Sequence, residues 1–205
     1  MRLGTGTVAS IVFACVVAFV SAVEAETDGA SLISALKEGG YVIYLRHSMS
    51  DTAKPDRDPI VVGDCATQRP LSEEGRAHAR AIGRVFKAAG VKVDRVLSSS
   101  YCRAAETAAL AFPEIAAKQV PMLFYSLALP KDEAVRAADE LKRELAVMPN
   151  AEMNTAMVGH TSNVKEAAGA WPKKEGSALI FRPDGKGAFA FVGSIDPADF
   201  TKFGD

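Results

Sequence analysis

Apolar and polar positions along the chain alternate between short continuous apolar runs and longer one-sided stripes. Residues 41–45, Tyr-Val-Ile-Tyr-Leu, form a run rich in β-branched and aromatic types and predict a buried strand. Runs at 93–97, 120–124 and 155–158 predict three more. The stripes between them have helical period. Residues 30–37 place Leu32, Ile33 and Leu36 on one face, with Gly39-Gly40 as a stop. Ser72 reads as an N-cap, followed by Glu73 and Glu74 in the first turn, where the helix dipole favours acids. Ala81, Ile82, Val85, Phe86 and Ala89 are that helix's apolar stripe, and Gly90 ends it. An alanine-rich helix follows residues 98–103 and is closed by Pro113. Residues 131–147 predict a helix with Val135, Ala138, Leu141 and Leu145 inward, ended by Pro149. A short helix then runs to Gly169.

Past that point the pattern changes. Residues 178–182 and 188–192 flank Pro183-Asp-Gly-Lys-Gly187, the turn chemistry of a hairpin, and the tail after Pro197 reads as a short cap. Strands alternating with helices predict an α/β fold, a three-layer α/β/α sandwich with a mostly parallel central sheet. The 205 residues are enough for one domain with a proper core and too few for two. There is no internal repeat.

The first strand ends in Arg46-His47, an expensive pair to leave in a core, because a buried cation needs a partner. At the open carboxyl end of a parallel strand, where α/β sheets bind ligands, the pair makes sense. Arg103 follows the second predicted strand and Gly159-His160 the last, so the topology sends all of them to one sheet edge. Two imidazoles and two guanidiniums converging on one point suit a phosphoryl group. Arginine offers a planar fork to phosphate oxygens, and charge spreads over those oxygens in the transition state. Neutral histidine can attack phosphorus, and nearby guanidiniums lower its pKa toward that form. Because the protein supplies the positive charge, this chemistry calls for no metal and no cofactor.

Composition narrows the class. The chain is 48% hydrophobic and 24% charged with formal net charge −1, which lacks the basic footprint of a nucleic-acid partner. At the N-terminus, Arg2 precedes an apolar run over 8–20 and then Ser21-Ala-Val-Glu-Ala25. This predicts a signal peptide over 1–25 cleaved after Ala25, with an uncleaved anchor as the alternative. The run is short for a membrane span, so the mature chain, 26–205, is expected to be a single domain without a stable span, periplasmic or secreted. In an oxidising compartment Cys65 and Cys102 invite a disulfide; the alternative is two free thiols.

The motifs Leu45-Arg-His47, Leu71-Ser-Glu-Glu-Gly75, Ser98-Ser-Ser-Tyr-Cys-Arg-Ala-Ala-Glu-Thr-Ala108 and Val158-Gly-His160 together resemble the histidine phosphatase superfamily, which contains the phosphoglycerate mutases. The resemblance runs from about residue 41 to 170. It implies the histidine phosphatase (phosphoglycerate mutase-like) fold. It implies that His47 accepts the phosphoryl group, Arg46 and Arg103 bind its oxygens, and His160 completes the pocket. The family usually has Gly after the Arg-His pair, where this chain has Ser48. Its proton donor is often a Glu after the third strand, where this chain offers Asp132 and Glu133, with Asp51 in the 49–70 loop as the alternative.

The expected function is therefore an exported, metal-independent phosphohydrolase working through a phosphohistidine. Its substrate would be a small-molecule phosphomonoester or a phosphorylated envelope component; the resemblance also admits a phosphoprotein. Transfer back to substrate would make it a phosphomutase, and a pocket without turnover would make it a phosphate-binding or envelope-interaction protein. Elsewhere, His78 reads as solvated surface on a polar helix face and Trp171 as packing at a helix end. Lys54, Arg57 and Arg69 read as solvated loop charges within reach of a substrate's second group.

Overall fold

The computed structural model describes residues 28–202. The expected leader over 1–25 and its cleavage after Ala25 lie outside the described residues. Among the described residues, six α-helices and six strands follow in chain order: α1 (Gly29–Ala35), β1 (Val42–Arg46), α2 (Glu73–Ala89), β2 (Val93–Ser98), α3 (Cys102–Ala111), β3 (Lys118–Gln119), α4 (Lys131–Leu145), β4 (Asn154–Gly159), α5 (Thr161–Ala168), β5 (Ala178–Pro183), β6 (Phe189–Ile195) and α6 (Pro197–Lys202). The strands make one six-stranded sheet in the order β3-β2-β4-β1-β5-β6. β1, β2, β3 and β4 run parallel, while β5 pairs antiparallel with β1 and with β6.

The layers follow from strand alternation, since successive side chains point to opposite faces. Ile43 and Leu45 of β1 join Ala156, Val158 and Ile180 in a core against α1, α2, α3 and α6. Val42 and Tyr44 join Met157, Leu179 and Phe181 in a second core against α4 and α5. β1 is thus buried on both faces, which is why it reads as a continuous apolar run rather than an alternating one.

Helix ends match the sequence signals closely. The Ser72 hydroxyl accepts from the Gly75 N–H at 3.0 Å, and Gly90 closes α2 in the left-handed conformation. Gly75 also allows α2 to lie against the backbone of Met49, whose carbonyl oxygen a Cβ there would strike.

Three expectations need correction. The strand expected over 120–124 is a two-residue strand at Lys118–Gln119, and Pro121–Leu123 forms a 3-10 turn. Proline has no N–H to give a sheet ladder and sets φ for a turn. Val135 is 55% exposed, and α4 turns Ala137, Leu141 and Leu145 inward instead. His78 is not solvated: it is 3% exposed, on the same face of α2 as Ile82 and Val85.

Candidate active site

β1, β2 and β4 end on one edge of the sheet, and each end delivers a polar group. Arg46 is the last residue of β1 and His47 follows it. Arg103 sits in the first turn of α3, just beyond β2. His160 follows β4 as the N-cap of α5. Arg46, His47, Arg103 and His160 line one cavity of about 470 Å³ together with Arg69 and Tyr125. The structure thus brings together the four residues expected from sequence and adds a third guanidinium from the loop.

His47 is buried, and its Nδ1 lies 2.9 Å from the carbonyl oxygen of Ser48. A carbonyl only accepts, so Nδ1 carries the proton and the Nε2 lone pair is free. Burial pushes the His47 pKa down to about 4; the Ser48 bond opposes this, and the Arg103 and Arg46 charges reinforce it. The ring is therefore neutral near pH 7, as a nucleophile must be. His160 lies 5.4 Å away, ring centre to ring centre, with Nε2 3.1 Å from the Ser99 hydroxyl. Burial, then the neighbouring cationic groups, hold its pKa well below the ordinary value.

Two carboxylates position the guanidiniums. Asp56 accepts from Arg103 Nη1 at 3.0 Å and from the Arg69 backbone N–H at 2.7 Å. The Arg103 guanidinium also lies over the Tyr101 ring, 4.7 Å from its centre. Glu175 accepts from the Ser50 N–H at 2.8 Å and pairs with Arg46 at 3.5 Å and Arg69 at 3.7 Å. Burial alone would raise the Glu175 pKa; the Ser50 hydrogen bonds and the surrounding positive charge outweigh it and hold the carboxyl below its usual value. Arg46 also donates to the carbonyls of Pro172 and Lys173.

The cavity wall carries buried polar atoms without partners: Nε of Arg46, Arg69 and Arg103, Nδ1 of His160, and the hydroxyls of Thr161 and Ser162. Buried groups left unpaired are costly and rare. Clustered around a neutral imidazole, at the amino end of α5, they form a donor set for an anion.

The other expected residues lie elsewhere. Asp132 is 71% exposed and paired with Arg136, and Glu133 lines a separate groove with Arg136 and Val62. Asp51 pairs with Lys54. None of the three lines the His47 cavity; the carboxylate on its wall is Glu166. Trp171, expected as helix-end packing, is 56% exposed at that wall with Lys165 Nζ 4.1 Å from its ring centre. The Cys65–Cys102 disulfide is present and ties the Asp56 loop to α3. Glu175 went unnoticed in the sequence, where a lone acid in an irregular segment carries no signal. His78 had one: it lies four residues before Ile82, on the buried stripe.

Comparison with known proteins bears on the family and the fold. The model of the histidine phosphatase superfamily (branch 1) matches residues 42–122, which include Arg46, His47 and Arg103. Over that stretch the chain resembles the histidine phosphatase superfamily. No curated protein matches it by sequence. Among solved structures, the protein histidine phosphatase SixA complexed with tungstate is 18% identical, with a TM-score of 0.53 over 78% of this chain and 98% of that one. YhfR of Bacillus stearothermophilus is 17% identical, with a TM-score of 0.55 over 74% and 94%. A mycobacterial glucosyl-3-phosphoglycerate phosphatase complexed with VO3 is 16% identical, with a TM-score of 0.56 over 77% and 100%. At these identities the likeness is one of fold. Superfamily and neighbours together support phosphatase activity at a coarse level.

Proposed function

We propose that this protein hydrolyses phosphomonoesters without a metal, through a phosphohistidine on His47. The observation that carries the reading is a buried, neutral His47 whose Nε2 is free, facing a cavity walled by Arg46, Arg69 and Arg103. Nε2 attacks phosphorus as the ester P–O bond breaks. The departing oxygen takes a proton from the Glu166 carboxyl at the cavity wall, which takes one back from the attacking water of the second step. Water then attacks the phosphohistidine, the N–P bond breaks, and phosphate leaves with His47 restored. The guanidiniums and His160 hold the phosphoryl oxygens throughout, as preorganised charge where charge spreads in the transition state.

The substrate class that fits an exported enzyme is a phosphomonoester outside the inner membrane, such as a phosphosugar or a phosphorylated envelope component. Export rests on the leader-like pattern of residues 1–25, and the Cys65–Cys102 bridge is consistent with an oxidising compartment.

The test is hydrolysis of an activated aryl phosphate in EDTA by residues 26–205 and by His47→Ala. Turnover in the first that disappears in the second is the expected result. Equal rates in both would sink the phosphohistidine route. Vanadate should inhibit far more tightly than phosphate if the pocket is built for the transition state.

A further inference from the structure

Behind His47 lies a third buried histidine, one that the chemistry above does not use. His78, from α2, is 3% exposed and carries a hydrogen-bond partner on each ring nitrogen. Its Nε2 lies 3.2 Å from the Pro197 carbonyl oxygen and its Nδ1 3.2 Å from the Ser48 hydroxyl. Pro197 can only accept, so Nε2 carries the proton, and neutral Nδ1 accepts from Ser48. Burial pushes the His78 pKa down, which keeps it neutral.

Ser48 is then held at every polar atom. Its N–H donates to the Thr107 hydroxyl at 3.0 Å, its Oγ donates to His78, and its carbonyl accepts from His47 Nδ1 at 2.9 Å. Thr107 in turn donates to the Arg103 carbonyl at 2.7 Å. The His78 ring also fills the space beside Gly176: a Cβ there would come within 2.5 Å of Cε1. The Gly176 N–H donates to the His47 carbonyl at 2.9 Å. On its other side His78 meets Phe200 edge to face at 5.9 Å.

We propose that His78, acting through Ser48, is a positioning residue that fixes the tautomer and aim of the His47 nucleophile. The carbonyl that holds the proton on Nδ1 belongs to a residue whose hydroxyl is pinned by His78. Without that pin, Ser48 loses one of its three anchors and His47 samples the tautomer with its proton on Nε2, which cannot attack. The effect expected from one hydrogen bond is about three- to tenfold in kcat. KM stays unchanged, because no group that touches substrate is altered.

The proposal takes His47 as the nucleophile, and its test separates the two readings. Long-range proton–nitrogen spectra of imidazole-labelled protein report the His47 tautomer whether or not the protein turns over. The wild type should show the proton on Nδ1, and Ser48→Ala and His78→Ala should show a mixture. Each variant should lose kcat without a change in KM, and the double variant should lose no more than either single one. His78→Gln, whose amide oxygen can accept from Ser48, should recover the rate and the tautomer. A wild-type tautomer in both single variants overturns the proposal, as do losses that multiply in the double variant. An inactive wild type with the expected tautomers would instead count against the phosphatase reading alone.

Discussion

At the scale of single residues, burial keeps the two site imidazoles neutral, while hydrogen bonds and positive charge hold the Glu175 carboxyl below its usual value against burial. The His47 pKa is pushed from 6.5 to about 4. Between those values the unfolded chain binds more protons than the folded one, so stability falls as pH drops through that window. The contribution is fully present above pH 6.5 and lost by about pH 4; the shift corresponds to about 3 kcal/mol. Glu175, with its pKa held down, adds a loss of the same sign as the medium grows more acidic still. Urea midpoints measured from pH 7 to pH 4 should therefore decline steeply in the wild type and less steeply in His47→Ala. Asp56 invites a kinetic test. Asp56→Asn weakens the hold on a 2%-exposed guanidinium, so under the proposed mechanism Arg103 loses its aim at the phosphoryl group. Initial-rate kinetics should show kcat/KM reduced by about tenfold or more, in line with the cost of disturbing a buried charged hydrogen bond.

At the scale of elements, the 51–70 loop, like the segment that carries Glu175, is a part of the site outside the α-helices and strands. It supplies Asp56 and Arg69, and it is fastened by the Cys65–Cys102 bridge and by the Gln68 side-chain oxygen, which accepts from the Cys102 N–H at 2.8 Å. The bridge spans 37 residues of sequence, for which loop-closure entropy gives about 4 kcal/mol as an upper figure. Cys65→Ser should lower the melting temperature and raise KM more than it lowers kcat, because His47 and His160 stand at the ends of β1 and β4 and stay in place. Legibility in the sequence follows the same division. β1, β4 and the helices were readable because each buries a run or stripe whose period shows locally. His47 and His160 were readable because a polar group straight after a buried strand is costly there unless it meets a ligand, and Arg103 because it opens the helix that follows the second strand at the same sheet edge. Glu175 and Arg69 meet across a sequence gap of about a hundred residues, in segments without period, and only the folded chain brings them together. The run over 120–124 gives a 3-10 turn in place of a strand because apolar character alone cannot tell the two apart when Pro121 sits inside it.

At the scale of the whole molecule, the three layers hold the site open at one edge of a sheet whose two cores share β1. Both neighbours of that strand come late in the chain: β4 at Asn154–Gly159 and β5 at Ala178–Pro183. A fragment ending at residue 150 would therefore carry β1 with both edges unpaired. It should sediment as aggregate rather than form a smaller domain, which analytical ultracentrifugation would show. The central place of β1 also bears on how the protein can be made. While a ribosome is still short of Asn154, the strand that leads into His47 has neither of its sheet neighbours, so the emerging polypeptide carries a doubly unpaired apolar strand until β4 and β5 have been made.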